Sequence, residues 1–189
     1  MEELALTILD LAQNSLAAGA TCLTITVEED GAADRLTLTV TDNGRGMDPE
    51  FVRRVLDPFT TTRTTRRGGL GLALLAMTAR QCEGDVSVAS RKGAGTTVTA
   101  TFRLRHWDRP PLGDLPATLV TILAGAPHLD LTYRHTVDGN TFTFSAHTVR
   151  EELQDVPLNE PKVLVFLREY LEEALRNLHG GGEDDAQES

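Results

Sequence analysis

The chain has 189 residues with a formal net charge of −10, and 40% of them are hydrophobic and 24% charged. That length holds one globular core with a small second module and falls short of two full enzyme domains. The composition excludes a fibrous or disordered protein, and no apolar run reaches the roughly 20 residues that a bilayer span needs.

Residues 4–18 place Leu4, Ile8, Leu11, Ala12 and Leu16 at helical spacing, and AAGA at 17–20 supplies a glycine stop. The opening MEELALTILDLAQNS has acidic residues where an export signal is basic, so a cytoplasmic location without a membrane is expected. Residues 22–28 and 35–41 alternate apolar and polar around the polar turn 29–34, the pattern of an antiparallel hairpin. Pro49 opens a short helix to Val55, residues 59–69 have no apolar periodicity, and 70–81 resumes as a helix begun by glycines. Two further strands, 85–90 and 96–103, flank the Gly-containing turn 91–95. The fold class expected to residue 105 is α+β: one mixed, mainly antiparallel sheet with helices on one face.

HWDRPPLGD at 106–114 combines adjacent prolines with a glycine, which predicts a linker and domain boundary there. A separate small α+β module is expected over 115–179: helix 115–123, strand 129–137, an Asp-Gly-Asn turn, strand 141–146 and helix 161–178. The tail 180–189 has nothing to bury and is expected to be disordered. Cys22 and Cys82 lack disulfide or metal-ligand spacing and are expected as buried, reduced thiols. Positions 1–106 carry 12 Lys+Arg against 13 Asp+Glu and positions 107–189 carry 6 against 15, so the acidic excess lies in the second half. That excess, without a basic stripe interleaved with aromatics, argues against nucleic acid as a partner.

Four short segments carry candidate chemistry. Asp42-Asn43-Gly44-Arg45-Gly46-Met47 follows a strand directly. A carboxylate there can accept from an exocyclic amine while the glycines let a flat ring approach, although the same residues also make an ordinary turn. Gly68-Gly69-Leu70-Gly71-Leu72 leads into a helix, where free N–H groups and the positive helix end bind phosphate, or simply forms a flexible loop. It has neither the Gly-Lys-Ser/Thr of a P-loop nor the βαβ setting of a Rossmann fingerprint. Asp10 and Asn14, four apart on the first helix, put a carboxylate and an amide on one face: a base and a Mg2+ ligand, or a polar surface stripe. Gly93-Ala94-Gly95-Thr96 is a hairpin turn whose threonine hydroxyl can face the same site.

In their order and spacing these segments resemble the GHKL group of ATP-binding domains, named for gyrase, heat-shock chaperone, histidine kinase and MutL. DLAQNSLAAGA matches the N-box, DNGRGM the G1 box, DPFTTTR the phenylalanine segment, GGLGLAL the G2 box and GAGTT the final box, all within 10–97. The resemblance covers about the first 105 residues and implies a Bergerat-type two-layer α/β sandwich that binds ATP and Mg2+. It implies that Asp42 accepts from the adenine amino group and that Gly44, Gly46 and Met47 shape the adenine pocket, with Thr96 joining through water. Asn14 would bind Mg2+; Gly68, Gly69, Leu70, Gly71 and Leu72 would line the phosphates; residues 59–69 would form the lid, with Phe59 at its hinge. Charge suggests that Arg63, Arg66 or Arg67 neutralises phosphate once such a lid closes, or else stays solvated.

Gyrase-like, MutL-like and anti-sigma relatives carry a glutamate base where this chain has Asp10, whose reach is one methylene shorter. NSLAAGAT is also similar to the MutL helix end, whereas the short lid resembles histidine kinases. His106, His128, His135, His147 and His179 all lie downstream of the motifs, outside the family's acceptor context, and no phosphoacceptor hairpin is expected ahead of the first helix. The expected function is therefore a histidine-kinase-like Mg-ATP-binding protein that phosphorylates or regulates an unidentified protein partner in trans, as a monomer or as a homodimer through the C-terminal module. The alternatives are an ATP-gated binding switch and a slow ATPase with Asp10 as base.

Overall fold

A computed structural model describes residues 2–57 and 69–180, without the side chains of Gly69 and Leu70. Helix α1 (Leu4–Ala17) is followed by β1 (Cys22–Asp30), β2 (Arg35–Asp42), α2 (Pro49–Val55), α3 (Gly69–Gln81), β3 (Val86–Arg91) and β4 (Gly95–Arg103). Then come α4 (Leu115–Gly125), β5 (Asp130–Val137), β6 (Asn140–Ser145), α5 (Ala146–Leu153) and α6 (Pro161–Gly180). All the expected helices and strands form, with ends shifted by a residue or two. Helix α5 lies where the sequence reading ended a strand; the Ser145 hydroxyl accepts from the Thr148 N–H and stops β6 by starting a helix.

The six strands make one mixed sheet in the order β3-β4-β2-β1-β5-β6, in which β1 and β5 run parallel and every other pair antiparallel. Strand alternation puts Leu23, Ile25 and Val27 of β1 on the same face as Leu36, Leu38 and Val40 of β2, and all six are buried. The opposite face is largely threonine, including Thr24, Thr26, Thr37 and Thr39, at half-exposed positions. The β-branched side chain suits a strand and its hydroxyl tolerates water, so this face stays open while the helices cover the other. This is the expected α+β two-layer sandwich.

The separate C-terminal module does not form. Strand β5 pairs with β1 over eight positions, from Cys22↔Asp130 to Glu29↔Val137, so residues after 114 extend the same sheet. Leu115, Leu119, Ile122 and Leu123 of α4 are buried in one continuous core with Leu4, Ile8 and Leu11 of α1. The Thr118 hydroxyl donates to the Ala5 carbonyl in that contact at 3.2 Å. Segment 106–114 is no flexible linker: Glu3 offers α1 no side-chain cap, and the carbonyls of Pro111 and Leu112 accept from Leu4 and Ala5 N–H at 2.9 and 2.8 Å. Prolines keep their carbonyls, so a stretch that cannot be helix or strand can still cap a helix.

Cys82 is buried as expected, and burial pushes its thiol pKa up. Cys22 is exposed, because the first residue of β1 falls on the outward parity of the strand. Helix α6 buries Leu167, Leu171 and Leu175 and leaves Val165, Phe166 and Tyr170 exposed. The expectation for the tail lies, after Gly180, outside the described residues.

Candidate functional site

A cavity of about 510 Å3 opens between α1, α2, the start of α3 and the ends of β2 and β4. Its walls bring together residues from four of the five sequence segments singled out above: Asn14, Asp42, Gly46, Met47, Leu72 and Thr96 all line it. Leu11, Val40, Val55 and Val98 supply apolar walls that fit a flat heteroaromatic ring, and Asp42 supplies the polar anchor.

Asp42 ends β2 on the inward parity, opposite Thr96 of β4. Its Oδ2 accepts from the Ser15 hydroxyl at 2.6 Å and its Oδ1 from the Gly44 N–H at 2.8 Å. Each oxygen keeps a second lone pair, so the fixed carboxylate retains capacity for a ligand donor. Ser15 escaped the sequence reading, yet it carried a signal: it continues the buried stripe Leu4, Ile8, Leu11, Ala12, where a hydroxyl must find a partner.

The turn after Asp42 is braced from behind. Asn43 Oδ1 accepts from the Thr21 and Cys22 N–H groups at 2.8 and 2.9 Å, and its Nδ2 donates to Thr21 Oγ1. Two glycines then permit contacts that any side chain would block. Gly46 has φ +71°, and a Cβ there would lie 2.0 Å from the Arg91 carbonyl oxygen. Gly95 has φ +97°, and a Cβ there would lie 2.0 Å from the Asp42 carbonyl oxygen. Both positions need the left-handed region and backbone-to-backbone approach, which only glycine gives without strain. Ser90 completes the frame: its Oγ accepts from the Met47 N–H at 2.8 Å and lies 2.8 Å from Thr96 Oγ1. Ser90, Asp48 and Phe51 were not singled out in the sequence, and Arg45 stood in the Asp42–Met47 segment without a role of its own; Arg45, Asp48 and Phe51 line the cavity.

Gly69, Leu70 and Gly71 open α3, whose first-turn N–H groups have no partner within the helix. Gly71 is exposed with open space around it, so its backbone is accessible to a ligand. Asp10 is exposed on α1 and is not among the residues lining the cavity. Phe59, Arg63 and Gly68, with the rest of the expected lid up to residue 68, lie outside the described residues, and Gly69 is the first residue of α3.

Residues 2–106 match the family model described as histidine kinase-, DNA gyrase B-, and HSP90-like ATPase. The chain is 42% identical over 98 residues to the sensor protein kinase FleS of Pseudomonas aeruginosa, covering 52% of this chain and 24% of that protein. It is 38% identical over 77 residues to the sensor histidine kinase ZraS of Salmonella typhi, covering 40% of this chain and 16% of that one. The chain thus spans a quarter or less of the length of these relatives. A solved structure of the N-terminal domain of a DNA repair protein shares the fold with a TM-score of 0.51 at 17% identity, covering 77% of this chain and 53% of that chain. That coverage is larger than the family-model match, so the shared fold extends into the C-terminal half. No helix of the described residues is long and apolar enough to cross a membrane. The chain belongs to the histidine kinase-, DNA gyrase B- and HSP90-like ATPase family, as an ATPase domain of the histidine-kinase type.

Proposed function

We propose that this cavity binds Mg-ATP and that the bound nucleotide serves phosphorylation or regulation of a partner protein in trans. The observation that carries the reading is the Asp42 carboxylate, fixed by Ser15 and Gly44 at the end of an apolar slot with Gly46 and Gly95 behind it. The residues present fit the nucleotide: a carboxylate for the adenine amine, apolar walls for the ring, and an amide on Asn14 as a hard oxygen ligand for Mg2+. Met47 and Thr96 border the base, and the N–H groups of Gly69, Leu70 and Gly71 at the start of α3 face phosphate charge. ATP supplies the phosphoryl group; the chain's own part is to position it and offset its charge.

All five histidines lie within the described residues, and none is among the residues that line the cavity. The exposed position of Asp10 favours transfer or regulation over hydrolysis with Asp10 as base. Asp10→Asn is expected to leave phosphate release unchanged; abolished release would establish the slow-ATPase reading instead.

The binding test is calorimetry of ATP with Mg2+ on Asp42→Asn. The variant amide can give its oxygen to the Gly44 N–H and its NH2 to Ser15 Oγ, so the fold survives, but the adenine amine then meets reduced acceptor strength. Losing a charged hydrogen-bond partner costs about 1–3 kcal/mol, roughly a 5- to 150-fold weaker Kd. An unchanged Kd would remove Asp42 from the nucleotide site. Incubation with γ-labelled ATP and a host lysate then separates labelled partner from ATP-dependent binding without label, the mark of a switch.

A further inference from the structure

Far along β1 from the nucleotide cavity, three side chains converge that the ATP reading does not use. Glu29 of β1 and His135 of β5 lie on the core-facing parity at the ends of their strands, and His179 comes from the last turn of α6. Glu29 Oε2 is 2.7 Å from His135 Nε2 and 2.8 Å from His179 Nε2. Among the described residues this is the one place where three His, Cys, Asp or Glu ligand atoms gather within 4.8 Å of one another.

The other ring nitrogens are already engaged. His179 Nδ1 lies 2.9 Å from the Leu175 carbonyl oxygen, which can only accept, so Nδ1 carries the proton. In the neutral ring, Nε2 is then a bare lone pair aimed at a carboxylate oxygen, and two acceptors 2.8 Å apart need a cation between them. His135 Nδ1 lies 2.7 Å from the Tyr133 hydroxyl, which can accept from it and leave Nε2 free to ligate. Histidine ligands of metals are typically held this way, with the second nitrogen tied to a carbonyl or another oxygen.

We propose that Glu29, His135 and His179 form a site for a divalent transition ion, Zn2+ foremost, that clips the end of α6 to β1 and β5. Two imidazoles and one carboxylate are a donor set of borderline softness that suits Zn2+ rather than Mg2+. Zn–N and Zn–O bonds of about 2.0–2.1 Å in a tetrahedron put ligand atoms on the order of 3.3 Å apart, a few tenths of an ångström beyond the present spacing. The site can be entered: the His179 side chain is 43% exposed and that of Glu29 15% exposed, whereas His135 is fully buried. The fourth position would face solvent.

The test uses the full chain, stripped with chelator and free of nucleotide, on a Cys22→Ser background that removes the exposed thiol. Titration with Zn2+ is expected to show one equivalent bound per chain. A hundredfold excess of free Zn2+ over Kd should raise Tm by about 5–10 °C. Co2+ substitution should give the visible bands of a four- or five-coordinate nitrogen-oxygen site. His179→Gln and Glu29→Gln should each weaken Zn2+ binding at least tenfold, and each stays near the surface, so folding is checked by circular dichroism alongside. His147→Ala, an exposed histidine elsewhere, should change nothing. Absence of Zn2+ binding, or binding that survives in both folded variants, would overturn the proposal and leave a proton as the bridging cation.

Discussion

Leu119→Ala tests whether the two halves of the chain share one core. Leu119 is 1% exposed on α4, which packs on both α1 and α6. Removing three carbons forfeits about 2.4 kcal/mol of transfer free energy at about 0.8 kcal/mol per methylene. A residual void on the order of 80 Å3 at about 24 cal/mol per Å3 adds about 2 kcal/mol, giving a loss near 4 kcal/mol. For a domain of this size each kcal/mol lowers Tm by about 2–4 °C, so a fall of about 8–16 °C is expected. The assay follows melting by far-UV circular dichroism and, in parallel, by release of a fluorescent ATP analogue. Because α1 carries Asn14 and Ser15 on the helix that α4 braces, both signals should fall together at the lowered temperature. Two separated transitions, with nucleotide release still at the wild-type temperature, would refute the single core and restore an independent C-terminal module.

Further outcomes follow from individual side chains. Gly46→Ala forces a left-handed alanine whose Cβ meets the Arg91 carbonyl, which is expected to cost at least about 1–3 kcal/mol and to weaken ATP binding more than Gly71→Ala, where space is open; equal affinities in calorimetry would contradict the packing. A thiol reagent on the native protein should modify Cys22 quickly and Cys82 only on unfolding, so two fast-reacting thiols would show that Cys82 is accessible. The Arg103 guanidinium, donating to Asp34 at 2.8 Å, holds the Asp34 carboxyl below the usual range. A lowered folded pKa contributes stability above the unfolded value of about 3.9 and loses it as pH falls through the folded value. Asp34→Asn, which tolerates the φ of 51° there, should therefore differ from wild type near neutrality and converge with it below about pH 4; a difference constant across that range in urea titrations would sink the assignment.

The sequence by itself determined the local elements and many of the residues that line the candidate site. Periodicity located helices and strands because helical and strand alternation are written in neighbouring residues. The site was legible because each of its segments is a turn or helix start with a special backbone requirement, as at Gly46 and Gly95, or a polar group on a predictable face, as at Asn14 and Asp42. Ser15 was hidden because its role depends on Asp42, 27 positions away. Only the tertiary structure decided that the C-terminal half joins the first. The β1–β5 pair is parallel and joins residues about a hundred positions apart, so no hairpin turn announces it. The same holds for Pro111 and Leu112, whose carbonyls cap α1, and for Glu29, His135 and His179, which lie far apart in the chain. Prolines read locally break regular structure; only the folded chain reveals that the Pro111 and Leu112 carbonyls face an uncapped helix, because long-range partners are set by packing and not by spacing.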